Sequence, residues 1–314
     1  MRVGERRRLG GSPVEVTALS FGGAAIGGLY TQVPDGDAAA AVARALATGM
    51  GYFDTAPHYG AGRSERRLGP LLRSSGAVIS TKAGRLLRPL EPGEGPDDEG
   101  FVDEPPFTRV WDFSADGVRR SLAESLDRLG LDRVDILYIH DPDRHEEQVY
   151  AETYPALARL RDEGVVGAIG AGMNQAAMLT RFVRRLDLDV VLCAGRYTLL
   201  DRAAGDELLP ACLERGTSVV IGGVYNSGLL AGGGTFEYAP ASPGIRAEVA
   251  RLREACDAYG VPLKAAALQF PARHPAVASV LVGCRTAAEV DENAAMFETG
   301  IPDALWPELD RGEA

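Results

Sequence analysis

The feature that most limits the fold of this sequence is the repeated alternation of short apolar runs with amphipathic helices. The runs are continuously apolar, which is typical of strands buried on both faces of a parallel sheet. Eight such runs in a chain of 314 residues predict an α/β fold, a (β/α)8 TIM barrel that forms one domain over 1–314. A doubly wound open sheet shares the alternation and is the alternative. The runs are ALSFGG (18–23), GYFDTA (51–56), AVISTK (77–82), VDILYIH (134–140), VGAIGAG (166–172), VVLCAG (190–195), SVVIGG (218–223) and SVLVGC (279–284).

The segments around these runs complete the predicted barrel. A short N-terminal β-hairpin is expected from residues 7–9 and 14–16. The clearest helix begins at Ser114, a residue type that caps helices, and ends at Gly130, which permits a left-handed residue. Two loops, about 84–113 and 222–244, exceed the roughly 2–6 residues usual for such connections. We interpret the first, which is rich in Pro, Gly, Asp and Glu, as a substrate-side lid or a mobile surface loop, and the second as a Gly-rich loop after the seventh strand.

Polar residues at the ends of the runs decide between the two sheet types. Barrel active sites collect at the carboxyl ends of the strands and in the loops that follow. Asp54, Lys82 and His140 stand at such ends, and Tyr59 follows shortly after Asp54. No G-x-G-x-x-G sequence opens a helix after the first strand, so a Rossmann dinucleotide site has no support.

These four side chains can form one proton-transfer site. Tyr59 is the expected proton donor and acceptor, and because a phenol has a reference pKa of about 10 it needs a nearby cation to exchange protons near neutrality. Lys82 would supply that charge and Asp54 would hold the ammonium, while His140 would orient the substrate oxygen. His58 is a rival that we assign to the substrate pocket.

Composition restricts the remaining function classes. The net charge of −11, with one dense basic run at 6–8, argues against a nucleic-acid partner. The four cysteines are far apart and form no metal-binding pattern, so buried reduced thiols in a cytoplasmic protein are expected, with no metal. No apolar run reaches the roughly 18–20 residues of a membrane span. The sequence indicates no particular oligomeric state.

The strings YFDTAPHYGAGRSERRLG, VISTKAG and LYIHD resemble the aldo-keto reductases over nearly the whole chain. The resemblance implies a barrel that binds a nicotinamide cofactor across its carboxyl-terminal face and transfers hydride to or from a carbonyl carbon. Asp54, Tyr59, Lys82 and His140 match the catalytic residues of the family one for one. The strings are most similar to the branch of aldose 1-dehydrogenases of the L-fucose (D-threo-aldose) and L-galactose type and of pyridoxal 4-dehydrogenases.

The resemblance also assigns cofactor contacts. Asn174 matches the residue that holds the nicotinamide carboxamide, with Gly172 where Ser is common and Ala194 where Gln is usual. Gly283 and Glu289 stand where NADP-preferring members carry Lys and Arg. NAD is therefore the expected cofactor, with NADP as the alternative because Arg285 could bind a phosphate. The full set of predicted contacts is Gly23, Gly172, Asn174, Tyr225, Asn226, Ser227, Gly228, Leu229, Gly283, Cys284, Arg285, Glu289, Glu292 and Asn293, and the predicted substrate pocket contains Tyr30, His58 and Trp111.

A preference for NAD favours oxidation, with Tyr59 as the general base and a sugar or an aldehyde as the small-molecule substrate. The most favoured reaction is oxidation of a sugar at C1 to the lactone. Pyridoxal 4-dehydrogenation and general aldehyde or ketone reduction are alternatives within the family. A slow cofactor-binding regulatory subunit is the alternative from another class, and a sugar isomerase is disfavoured because no acidic cluster with metal-ligand spacing is visible.

Overall fold

Eight parallel strands close into a barrel in the computed structural model, which describes residues 1–95, 97, 99–236 and 239–310. This confirms the predicted fold and excludes the open sheet. The strands pair in chain order, and the eighth pairs with the first. Their limits lie within two residues of the predicted ones. The strands are Leu19–Gly22, Tyr52–Asp54, Val78–Ala83, Ile136–His140, Ala168–Met173, Val190–Ala194, Ser218–Gly222 and Val277–Gly283.

Helices follow the strands around the outside of the barrel. The helix predicted from residue 114 is confirmed as Ala115–Leu129: Ser114 Oγ accepts a hydrogen bond from the amide of Gly117 at 3.0 Å, and Gly130 ends the helix with φ of 62°. The α-helices are Asp35–Ala47, Arg63–Leu72, Ala115–Leu129, Glu146–Gln148, Tyr154–Asp162, Ala176–Arg185, Ala203–Asp206, Leu208–Arg215, Pro243–Ala258, Leu263–Gln269, Ala287–Glu298 and Leu305–Asp310. A π-helical turn, Val149–Thr153, and the 3₁₀ turns Ala25–Gly27, Leu229–Ala231 and Pro271–Arg273 complete the helical structure described.

The N-terminal hairpin covers the amino-terminal end of the barrel. Its strands Arg6–Arg8 and Glu15–Thr17 are antiparallel, as predicted. Leu9, Val14 and Val16 are buried in one cluster with apolar side chains of six barrel strands, among them Tyr52 and Tyr138. This apolar layer closes the end of the barrel opposite to the predicted site.

The loop over 84–113 contains a second hairpin rather than irregular chain. Arg85–Pro89 pairs antiparallel with Phe107–Trp111, so that Arg85 lies opposite Trp111. Because Arg85 directly follows Gly84 at the end of the third strand, the hairpin grows out of the carboxyl-terminal face of the barrel.

The second long loop, 222–244, is also partly regular. It contains the 3₁₀ turn Leu229–Ala231 and a short antiparallel pair, Thr235–Phe236 with Ala239–Pro240, before the helix Pro243–Ala258 begins.

All four cysteines are buried and unpaired, as predicted. No helix within the described ranges is both long and apolar enough to cross a bilayer.

Candidate active site

A buried ion pair between Asp54 and Lys82 forms the base of the predicted site. Asp54 is the last residue of the second strand, and Lys82 is the last but one of the third strand. Lys82 Nζ donates to both carboxylate oxygens of Asp54, at 2.8 and 2.6 Å, and to the carbonyl of Thr55 at 2.9 Å. These contacts compensate the burial of the ammonium, which also forms a side-chain hydrogen bond with Tyr59.

A chain of hydroxyl groups supports the carboxylate from inside the barrel. Ser80 Oγ donates to Asp54 Oδ1 at 2.6 Å, and the Tyr52 hydroxyl lies 3.0 Å from Ser80 Oγ and 3.2 Å from the Tyr138 hydroxyl. Burial raises the pKa of both phenols, so both keep their protons. Ser80 donates its only hydroxyl hydrogen to Asp54, so the Tyr52 hydroxyl must donate to Ser80 Oγ. The Tyr138 hydroxyl must in turn donate to the Tyr52 oxygen. The chain is thus ordered toward the negative charge.

Tyr59 lies above this ion pair, with Lys82 Nζ 4.6 Å from the centroid of its ring. The loop that carries it packs tightly against the 3₁₀ turn after the first strand: Gly60 has φ of 61°, and a Cβ atom there would lie 2.0 Å from the carbonyl oxygen of Gly27. Only glycine fits this position without a backbone shift. The tight packing fixes the position of the neighbouring phenol.

The charge balance around Tyr59 differs from the expectation. Burial raises the pKa of Tyr59 to about 12, against the opposing effect of the Lys82 ammonium. Asp54 also raises this pKa, because its negative charge disfavours the phenolate. Lys82 does lower the pKa of the phenol, as predicted, but it does not outweigh burial. Tyr59 is therefore protonated at neutral pH.

His140 completes the predicted group of four. It ends the fourth strand, is buried, and its ring lies 5.8 Å from that of Tyr59 and 5.6 Å from that of His58. Burial and the nearby Arg85 and Lys82 cations lower the pKa of His140 well below its usual value, so the imidazole is neutral. A neutral imidazole has one donor nitrogen and can donate a hydrogen bond to a substrate oxygen.

Tyr59, Lys82 and His140 border one cavity of about 490 Å³ at the carboxyl-terminal end of the barrel, and Asp54 pairs with Lys82 without lining it. Of the predicted pocket residues, Tyr30 and His58 line this cavity. Trp111 does not: it is 45% exposed and covers the guanidinium of Arg85, 4.2 Å from its ring centroid. Further lining residues include Ala24, Leu29, Glu99, Phe101, Met173 and Leu192.

Sequence reasoning missed an ion pair that lines this cavity, Arg85 with Asp141, and the carboxylate of Glu99. Arg85 Nη2 donates to Asp141 Oδ2 at 2.5 Å, and both residues line the cavity. Both members of the ion pair lie near a predicted catalytic residue, since Arg85 follows Lys82 by three positions and Asp141 follows His140 directly. That proximity is the signal in the sequence that could have revealed them.

The predicted nicotinamide contacts lie at the same cavity. Gly172, Asn174 and Ala194 all line it, at the ends of the fifth and sixth strands. A Cβ atom at Gly172 would lie 3.6 Å from Lys82 Cε, so this glycine is in contact distance of the ion pair. Gly23 has a packing role, because a Cβ atom there would lie 2.4 Å from Ser64 Oγ. Its contact with cofactor remains a prediction.

The predicted pyrophosphate segment has an unusual backbone. Asn226, Ser227 and Gly228 have φ of 46°, 57° and 92°, and a left-handed run that includes two non-glycine residues is uncommon. Strained backbone of this kind clusters at ligand sites. In addition, Asn226 Oδ1 is buried and has no hydrogen-bond partner within the described ranges. Both features fit a segment that binds a polar ligand such as a dinucleotide.

The structure joins this segment to the predicted adenosine-side residues. The Tyr225 hydroxyl donates to Asn293 Oδ1 at 2.7 Å, and Asn293 Nδ2 donates to Cys284 Sγ at 3.2 Å. Lys264 Nζ, which lies 5.5 Å from the Tyr225 ring centroid, pairs with Glu292 at 2.6 Å. Two segments far apart in sequence therefore form one surface, as a cofactor site requires.

Arg285 and Glu289 are paired with each other at this surface. Glu289 Oε1 accepts from Arg285 Nη2 at 3.0 Å, and Glu289 Oε2 accepts from the Arg285 amide at 2.7 Å. A 2′-phosphate would have to compete with Glu289 for this guanidinium. Gly283 is exposed beside them.

Comparison with known proteins agrees with this geometry. The profile described as the Aldo/keto reductase family matches residues 18–313. The chain is 45% identical to a D-threo-aldose 1-dehydrogenase of a Pseudomonas species, over 94% of this chain and 93% of the relative. It is 42% identical to a pyridoxal 4-dehydrogenase of Microbacterium luteolum, over 98% and 97% of the two chains. An aldo-keto reductase from Bacillus halodurans, solved in its holo form, superposes with a TM-score of 0.77 at 25% identity, over 98% and 95% of the two chains.

A closed barrel whose strand ends bring together an acid, a phenol, an amine and an imidazole defines an oxidoreductase that interconverts alcohols and carbonyls. With 18–313 matched by one family profile, this chain belongs to the aldo/keto reductase family, whose dehydrogenases use a nicotinamide cofactor.

Proposed function

We propose that this protein oxidises a free sugar at C1 to the lactone, with transfer of hydride to NAD. The observation that carries the proposal is that Tyr59, Lys82 and His140 line one cavity, with Asp54 paired to Lys82, in a chain 45% identical to a D-threo-aldose 1-dehydrogenase. The cavity is lined by several polar side chains, which suits a substrate with many hydroxyl groups.

The residues of the chain account for the proton movement. Tyr59, as the phenolate, removes the proton of the C1 hydroxyl, so the oxygen–hydrogen bond breaks and a carbonyl forms at C1. His140, as a neutral imidazole, donates a hydrogen bond to the same oxygen and orients it. Lys82 stabilises the phenolate, and Asp54 holds Lys82. A nicotinamide held by Asn174 and the Tyr225–Leu229 segment would accept the hydride that leaves C1.

The substrate class is tested by following NADH production with L-fucose, L-galactose, D-arabinose, pyridoxal and simple alcohols. Free sugars should give the highest kcat/KM, and Tyr59→Phe, which keeps the ring and removes the hydroxyl, should abolish their turnover. Higher kcat/KM for pyridoxal than for every sugar would select the second candidate. That candidate is favoured by the 42% identity to a pyridoxal 4-dehydrogenase.

We further propose NAD rather than NADP as the cofactor. The support is electrostatic: Glu289 would repel a 2′-phosphate and already holds the guanidinium of Arg285. The kcat/KM ratio for NAD over NADP should exceed one, and Glu289→Gln should lower the ratio by freeing Arg285. Glu298→Gln, at the end of the same helix, is the control. A tenfold preference of the unaltered enzyme for NADP would contradict the proposal.

A further inference from the structure

The guanidinium of Arg85 is built into the wall of the catalytic cavity. Arg85 begins the hairpin above the barrel, is 7% exposed and lines the cavity with Tyr59 and His140. Its Nη2 atom donates to Asp141, and the Trp111 ring covers its plane. Its Nε atom is buried and has no hydrogen-bond partner in the part of the chain that the structure describes.

Two further buried nitrogens of the same cavity are unpaired. His58 Nδ1 and His140 Nδ1 have no hydrogen-bond partner among the described residues. Burial lowers the pKa of His58 to about 2, so it is neutral like His140. A neutral imidazole offers one donor and one acceptor, and Nε of arginine is always a donor. Since buried polar groups are costly when unpaired, the cavity suits a ligand with several hydroxyl groups, each of which can both donate and accept.

The charged side chains around Arg85 further restrict which ligands fit the cavity. Burial lowers the pKa of Arg85. Two carboxylates that line the cavity, Asp141 and Glu99, oppose this effect and favour the charged guanidinium. Asp141 is held in a left-handed conformation, with φ of 41°, by a hydrogen bond from its amide to the carbonyl of Gly172. Arg85 is therefore already compensated, and a phosphate monoester, which carries about −1.5 to −2 charges, would meet two carboxylates.

We propose that Arg85, held in place by Asp141 and Trp111, is a specificity-determining residue that binds hydroxyl groups of a neutral polyol and excludes its phosphate esters. The inference rests on the proposed oxidation of a free sugar and adds which part of the site selects it. Arg85 Nε donates to a substrate hydroxyl, and Asp141 acts as a positioning residue that fixes the guanidinium.

The variants that test this subsite are Arg85→Met, which keeps the length of the side chain, and Arg85→Lys, which keeps its charge but lacks Nε. Arg88→Met is the matched control, because Arg88 lies in the same hairpin strand and pairs with Glu94 at the surface. Oxidation of L-galactose, 6-O-methyl-L-galactose and L-galactose 6-phosphate is compared with reduction of butyraldehyde, which has no hydroxyl group.

For L-galactose, both Arg85 variants should raise KM about tenfold or more, as expected for loss of a hydrogen bond from a charged donor. Their loss of kcat/KM should be at least about fivefold smaller with butyraldehyde, which offers no hydroxyl group to Arg85, than with L-galactose. Arg88→Met should change neither. The wild-type enzyme should use the 6-phosphate at least about 100-fold less efficiently than the 6-O-methyl sugar, which has similar added bulk but no charge.

Three results would overturn the inference: an unchanged KM for L-galactose in the Arg85 variants, equal losses with sugar and butyraldehyde, or equal use of the phosphate and methyl derivatives. If Arg85→Met does not fold, Arg85→Lys gives the same test with the charge retained. Sugar oxidation that is insensitive to Arg85 rejects this subsite alone. Reduction of butyraldehyde without oxidation of any free sugar rejects the proposed function as well.

Discussion

The pKa of Tyr59 sets the pH dependence of the two directions of catalysis. With a pKa of about 12, Tyr59 is protonated across the usual assay range. Oxidation needs the phenolate, whose fraction below the pKa rises about tenfold for each pH unit. The rate of the hydride-transfer step in oxidation should therefore rise about 100-fold between pH 8 and pH 10, without a plateau.

The assay is the initial rate of NADH formation from L-galactose and from its C1-deuterated form, which identifies the pH range where hydride transfer limits the rate. Butyraldehyde reduction is the internal control. That direction uses the neutral phenol as the acid, so its rate should stay nearly constant from pH 8 to pH 10. Asp141, whose pKa is raised to about 6 by burial, is ionised throughout this range and does not add to the slope.

An oxidation rate that levels off below pH 9, with the isotope effect still expressed, would refute this reasoning. It would mean that the Lys82 ammonium outweighs burial and that the phenol ionises near neutrality. The compensation of Lys82 by Asp54 would then be smaller than the geometry of the pair implies.

Three substitutions test the support of the phenol. Lys82→Met removes the charge that lowers the Tyr59 pKa and leaves Asp54 unpaired, so oxidation at pH 9 should fall sharply and the free energy of unfolding should drop by about 3–5 kcal/mol in urea titrations. Ser80→Ala removes a hydrogen bond to a carboxylate and should lower the free energy of unfolding by about 1.5–3 kcal/mol. The control Ser20→Ala, at a buried serine bonded to neutral groups, should lower it by about 0.5–1.5 kcal/mol. Equal losses of stability would contradict the ordered hydroxyl chain. Tyr59→Phe should leave the Kd for NADH within about threefold of wild type while turnover is lost, because the phenol acts in proton transfer; a large loss of affinity would assign the hydroxyl to binding.

The grouping of the four proposed catalytic residues could be predicted because three of them are placed by a short local pattern. Asp54 and His140 end apolar runs, Lys82 stands at the end of another, and parallel strands in a barrel all point their carboxyl ends to one face. Once the barrel is recognised, convergence follows from topology alone. The size of the Tyr59 pKa shift could not be predicted, because it depends on how completely the phenol and the ion pair are buried.

The hairpin over 84–113 could not be predicted for a related reason. Its strands are separated by 17 residues that include Pro and Gly, and their pairing depends on contacts with the barrel rather than on local pattern. Arg85 and Asp141 read as solvated charges in the sequence, the usual state of such residues. Only the folded chain brings them together and buries Arg85.

The hairpin over 84–113 contacts residues of the catalytic cavity from both of its strands. From its second strand, the buried Arg109 pairs with Glu104 and donates to the carbonyl of His58 at 2.9 Å. From its first strand, Arg85 reaches Asp141 beside His140. Both strands of one inserted element therefore hold cavity residues in place, whereas Asp54, Lys82 and His140 are carried by barrel strands. Changes in this insertion can therefore alter the lining of the cavity while Asp54, Lys82 and the hydroxyl chain, which barrel strands carry, stay in place.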